Sequence, residues 1–220
     1  MFSGGRIRTD LGRRVELVPM DRHYGEISIG LYVRDTPEGP VATVHSYSGK
    51  QGVGERLESV AAALTSLGGL EPLENPLELR FPCGTWHAAA AKRLFVEACK
   101  QDPSASVEPR PLRGTDSRSG QVIVVEPLGD GAYEVQSDGA TDETPSRAPA
   151  IARAIAKLAE LSLAEGDHPV VSFPCGQPHD PLIGLLLVRA QNLRQILREE
   201  ELEASRGVLA APSQQEGSQP

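Results

Sequence analysis

The sequence predicts an α/β protein with a mixed sheet, built by tandem duplication of a β-β-α-β-α unit with pseudo-two-fold symmetry. Three observations carry this. The heptad FPCGTWH at residues 81–87 returns as FPCGQPH at 173–179, a displacement of 92 residues. The segments before the two heptads, ERLESVAAALTSL (55–67) and RAPAIARAIAKLA (147–159), space their apolar residues at helical intervals. Each half also opens on two stretches of alternating apolar residues separated by turn formers, the pattern of a β-hairpin. A fixed displacement that carries several elements together is the mark an internal duplication leaves.

The elements follow in chain order. Residues 1–14 hold Arg6, Arg8, Arg13 and Arg14 around Asp10 and read as a solvated entry segment. The first repeat, 15–100, begins with the hairpin EISIGLYVRD-TPEG-PVATVHSYSG. Its helix carries Leu57, Val60, Ala61, Leu64 and Leu67 on one stripe, and the strand LELRF (77–81) follows, stopped by Pro82. WHAAAAKRLFVEACK (86–100) closes the repeat as a helix. Residues 101–120, rich in Pro, Ser and Gly, read as a linker.

The second repeat, 121–204, has the hairpin QVIVVEPLGDGAYEVQSDG with Gly129, Asp130 and Gly131 as its turn. Its first helix carries Ile151, Ala154, Ile155, Leu158 and Leu161, and the strand PVVSF (169–173) leads to a long last helix over 181–204 with Leu182, Leu185, Leu186, Arg189, Leu193 and Ile196 on one face. In each half the strand, helix and strand around the first helix form a βαβ unit whose crossover is expected to be right-handed. Residues 205–220 lack core-forming side chains and are expected to be disordered.

Composition narrows the function classes. A net charge of −8 disfavours nucleic acid as a partner, because phosphate contact rewards clustered Lys and Arg. No apolar run reaches the roughly 18 residues of a membrane helix, so no membrane partner is expected. Three cysteines, an odd number with two in matched positions, do not form a disulfide framework, and a reducing cytoplasm is the expected compartment. The expected function is a binding or interaction module for a small molecule or protein, working without a cofactor.

The repeated heptads concentrate the candidate chemistry. Cys83 and His87, with Cys175 and His179, offer two thiolates and two imidazoles, a set that zinc accepts tetrahedrally if the two pairs converge. Alternatively Cys83, between a strand and a helix start, is a nucleophile with His87 as its base, acting on a small carbonyl or amide. No orienting carboxylate stands at a recognisable place for that role. The third possibility is structural: Phe81 and Phe173 anchor the core, the prolines end the strands, and the cysteines are small buried residues.

The two copies differ in a way that bears on this choice. Thr85 is placed to cap the first helix, whereas Asp180-Pro181 starts the second helix after His179. Only the first copy is then expected to keep the Cys–His geometry. Beside the heptads, Trp86, His45 and Tyr47 are candidate ligand contacts, the last two sharing a strand face with Thr43. The glycine-rich SYSGKQGVGER (46–56), with Lys50, is a weak phosphate-loop candidate that matches no established spacing.

Overall fold

The computed structural model describes residues 16–17, 29–46, 53–117, 119–141 and 143–192. The alternation read in the first hairpin becomes β2 (Ile29–Thr36) and β3 (Gly39–Ser46), with Ile29, Leu31, Val33, Ala42 and Val44 turned inward. β1 (Glu16–Leu17) flanks β2. In the second half β6 (Arg113–Thr115) flanks β7 (Val122–Gly129), which pairs with β8 (Ala132–Asp138) and buries Ile123, Val125, Tyr133 and Val135. The second turn has positive φ at both central residues, Asp130 (48°) and Gly131 (68°), as a tight hairpin demands.

After each hairpin the chain enters a helix, α1 (Val53–Gly68) or α3 (Ala148–Ala159), and then two short strands. These are β4 (Glu71–Pro72) with β5 (Glu78–Arg80), and β9 (Ser162–Ala164) with β10 (Val170–Ser172). The result is two five-stranded sheets of corresponding order, β1-β2-β3-β5-β4 and β6-β7-β8-β10-β9. All of their pairings are antiparallel.

This corrects the expected mixed sheet and its adjacent βαβ crossover. The strand before each heptad pairs antiparallel with the hairpin, through Ala42↔Leu79 and Thr43↔Glu78 in the first half and Val171↔Tyr133 in the second. The reason is an additional strand in each half. β4 and β9 take the direction a crossover would give, and the chain then turns back so that β5 and β10 insert beside β3 and β8.

The heptads lead into α2 (Ala88–Ala98) and α4, described over residues 180–192. The α1 stripe is buried as expected, while α3 buries Ala148, Ile151, Ala152, Ile155 and Leu158 and leaves Ala154 half-buried. Leu57, Val60, Ala61, Leu64 and Leu67 thus have their buried counterparts 91 residues later, one fewer than the heptads. The helix ends agree: Gly69 (φ 68°) and Glu160 (φ 54°) both cap in the left-handed region. The second half therefore has one more residue between its helix and β10 than the first has before β5.

Helix α2 packs against both α1 and α3, and residues of both halves form one continuous apolar core. The 101–120 stretch packs against α1 and α4. It supplies β6, its Val107 carbonyl accepts the Ser66 hydroxyl at 2.5 Å, and its Arg110 carbonyl lies where any side chain at Gly184 of α4 would collide. Among the described residues no helix is long and apolar enough to cross a membrane. The entry segment, Tyr47, residues 48–52 of the glycine-rich loop, Leu193, Ile196 and the 205–220 tail lie outside the described residues.

Candidate metal centre

The two heptads fold alike. In each, Pro and Cys occupy the centre of a β-turn closed by the glycine N–H donating to the phenylalanine carbonyl, Gly84 to Phe81 at 3.0 Å and Gly176 to Phe173 at 3.1 Å. Both glycines then sit at φ 69°, a conformation costly for any other residue. Each histidine stands immediately before its helix, and its carbonyl accepts the first intrahelical bond, from Ala91 N–H to His87 (2.8 Å) and from Ile183 N–H to His179 (3.0 Å).

This corrects two expectations about the helix starts. Thr85 is not the cap: its N–H donates to Cys83 Sγ at 3.4 Å, and His87 holds the capping position without a side-chain cap bond. Nor does Asp180-Pro181 spoil the second copy. His179 lies outside its helix as expected, but so does His87, so both copies keep their pairs: Cys83 Sγ–His87 Nε2 at 3.3 Å and Cys175 Sγ–His179 Nε2 at 3.2 Å.

The fold brings the two pairs together. The four donor atoms all lie within 4.8 Å of one another. The imidazole rings of His87 and His179 meet edge to face at 4.7 Å between centroids. Phe81 and Phe173 wall them in, each phenyl ring touching both imidazoles at 4.5–5.7 Å. The histidines are 7% and 4% exposed, whereas both cysteines are half-buried, so the cluster is sealed on its nitrogen side and open to solvent on its sulfur side.

Burial sets the protonation. It lowers the pKa of His87, and it drives His179 down to about 4, with the neighbouring His87 adding to the fall and Asp180 opposing it. Both rings are neutral at pH 7, each with a lone pair available to accept a thiol proton or a metal. Burial pushes the Cys83 thiol up, the Thr85 N–H pulls against this, and Cys175 beside it pushes further upward. This is the reverse of the depressed thiol that nucleophilic attack uses.

Tyr133, a residue that the sequence does not single out, clamps the second copy. Fully buried on β8, it accepts the His179 N–H at 2.5 Å and donates to Asp180 Oδ1 at 2.8 Å. The register places Ala42 at the corresponding point of the first sheet, so this clamp belongs to one copy only. Its sequence signal is slight, a lone aromatic in an alternating strand. The hairpin also presses on the heptad, since a Cβ on Gly131 would lie 2.8 Å from the Gln177 carbonyl oxygen and 2.9 Å from its nitrogen.

The remaining candidates fall elsewhere. Trp86 is half-buried and packs at 5.3 Å on Phe81, next to the cluster. His45 is half-buried at the end of β3, and burial lowers its pKa. Cys99, at the far end of α2, uses its carbonyl to accept the buried Arg56 guanidinium at 2.7 Å.

The donor set suits a metal ion. A tetrahedral site with Zn–S near 2.3 Å and Zn–N near 2.1 Å has edges of about 3.4–3.8 Å between donors. The Cys–His pairs already approach that spacing, and the widest separation of 4.8 Å needs a contraction of only about 1 Å, within side-chain reach. No family model, curated protein or solved structure matches the chain.

Proposed function

We propose that this chain is a metal-binding protein that holds one Zn²⁺ through Cys83, His87, Cys175 and His179, tying its two halves together. The observation that carries the reading is the convergence of two identical Cys-x3-His turns, 92 residues apart, onto one cluster of four donor atoms within 4.8 Å. Two thiolates and two neutral imidazoles form a borderline-soft set, which zinc takes without geometric strain. Four protein ligands leave no open coordination position, so the ion's role is to hold structure, not to activate water. The ion also joins residues far apart in the chain, and because its site exists only when both halves are folded together, its binding energy adds to folding stability.

The same reading includes a tandem duplication with pseudo-two-fold symmetry, each half running β-β-β-α-β-β-α, with the metal lying on the pseudo-axis. The matching strand orders, the helix burial repeated at 91 residues and the paired glycine turns support it. A reducing compartment such as the cytoplasm suits a site that needs both thiols. The alternative of a Cys83 nucleophile loses ground to the upward pull of burial on that thiol.

Elemental analysis tests the proposal on protein purified without a histidine tag and exchanged against a weak chelator. The expected result is one zinc per chain, held with a Kd of about 50 nM or tighter, as follows from binding energies of about 10–16 kcal/mol at structural sites. Cys83→Ser and His179→Ala each lower the content well below one. Zinc-free wild-type protein that also declines added zinc at neutral pH overturns the proposal.

A further inference from the structure

We propose that this centre is also a thiol-based metal switch: a peroxide converts Cys83 and Cys175 to a disulfide across the two halves, and the metal leaves. The proposal rests on the metal reading above. The two sulfurs belong to the mutually close donor set, at most 4.8 Å apart, so closing to a bond of about 2.05 Å takes at most about 2.8 Å of combined movement. A change of side-chain rotamer moves a sulfur by a distance of that order. Access favours the same atoms. The cysteines are half-buried while the histidines are 7% and 4% exposed, so an oxidant meets sulfur before it meets nitrogen.

Competition from the third thiol is weak. Cys99 follows the C-terminal end of α2, an 11-residue helix that begins just after His87, which puts its backbone roughly 16 Å from the heptad. Within the heptads, the two sulfurs share one cluster with the histidine Nε2 atoms, each 3.2–3.3 Å from its own sulfur.

The chemistry balances without further reagents. One thiolate attacks a peroxide oxygen and breaks the O–O bond, forming a sulfenic acid and releasing hydroxide, which is protonated to water. The second thiolate attacks the oxidised sulfur, forms the S–S bond and expels the remaining oxygen as a second water after protonation. The two sulfurs lose two electrons, hydrogen peroxide gains them, and two protons are consumed. The metal does not change oxidation state. It loses both anionic ligands, keeps only two neutral imidazoles and dissociates as the hydrated ion. A dithiol reductant returns both thiolates and restores the site.

The test uses the full zinc-loaded chain and its Cys99→Ser variant, treated with hydrogen peroxide in the presence of a chromophoric zinc indicator. Thiols are counted, and non-reduced peptides are mapped by mass. Expected are one zinc released per chain, a fall from three free thiols to one in the wild type, and a Cys83–Cys175 linked peptide in monomeric protein. Dithiothreitol with added zinc then restores full occupancy. Cys99→Ser behaves the same, its thiols falling from two to none. Zinc release accompanied by intermolecular or Cys99-containing disulfides, or by sulfinic acid at Cys83 or Cys175, overturns the switch alone. So does zinc that stays bound with both thiols intact. A chain that takes up no zinc at the outset overturns the metal reading, and the switch with it.

Discussion

Replacing Gly131 with alanine tests whether the hairpin turn positions the second heptad. Two costs combine at this position. Gly131 has φ 68°, where a non-glycine residue costs about 1–2 kcal/mol. Its new Cβ would also meet the Gln177 oxygen at 2.8 Å, the Gln177 nitrogen at 2.9 Å and the Gly176 carbonyl carbon at 3.1 Å, all backbone atoms that cannot rotate away. Overpacking of that kind costs about 1–3 kcal/mol. Gly129, two residues earlier in the same turn, has φ 92°, and an alanine methyl there would meet nothing within 4 Å, so Gly129→Ala carries the strain without the collision.

The expected losses are therefore about 2–5 kcal/mol for Gly131→Ala and about 1–2 kcal/mol for Gly129→Ala, read by urea unfolding of the zinc-free proteins. Thermal midpoints should fall by about 2–4 °C per kcal/mol for a chain of this size. Because Gln177 lies between Cys175 and His179, Gly131→Ala should also weaken zinc binding tenfold or more, about 1.4 kcal/mol, while Gly129→Ala leaves it unchanged. If Gly131→Ala is no worse than Gly129→Ala in either stability or zinc affinity, the turn does not support the heptad as described.

Further outcomes follow from the same geometry. In chelator-treated protein, His179 is neutral when folded, with its pKa near 4 against 6.5 unfolded, so stability is full above pH 6.5 and declines as pH falls toward 4. From His179 alone the loss between pH 7 and pH 5 is about 2 kcal/mol, and His87 adds to it in the same direction; urea midpoints at the two pH values, with His179→Asn flattening the slope, check this. Tyr133→Phe strips the His179 N–H of its acceptor and Asp180 of its donor, costing about 1–3 kcal/mol in thermal unfolding and weakening zinc binding, without altering the far-ultraviolet spectrum. Arg147→Ala leaves the fully buried Asp116 without the guanidinium at 2.9 Å and should cost about 3 kcal/mol, part of which the double variant with Asp116→Asn recovers.

What the sequence discloses and what it hides have physical causes. The hairpins and helix stripes are legible because each buries one face, which imposes a period of two or 3.6 on apolar residues. Phe81 and Phe173 are legible as anchors, at 1% and 2% exposure. β4 and β9 are not: Glu71–Pro72 and Ser162–Ala164 are too short and too polar to show a period, and without them the direction of β5 and β10 reads reversed. The Arg113–Thr115 edge strand is hidden in a Gly- and Pro-rich stretch for the same reason.

The extra residue before β10 is invisible when the heptads alone fix the alignment, because the apolar stripes of α1 and α3 tolerate a shift of one position. At the site, rarity of cysteine and histidine singles out all four donors. Their convergence depends on how the two halves pack, and local sequence does not encode that. The apparent degeneracy of the second copy comes from placing the first histidine inside its helix, when both stand just before one.

Zinc K-edge X-ray absorption on the purified, stoichiometrically loaded chain tests the central claim most directly. The account predicts a four-coordinate ion with two sulfur ligands near 2.3 Å and two imidazole nitrogens near 2.0–2.1 Å, and loss of one sulfur shell component in Cys175→Ser. A coordination shell of oxygen and nitrogen alone, or one unchanged by Cys175→Ser, would contradict it.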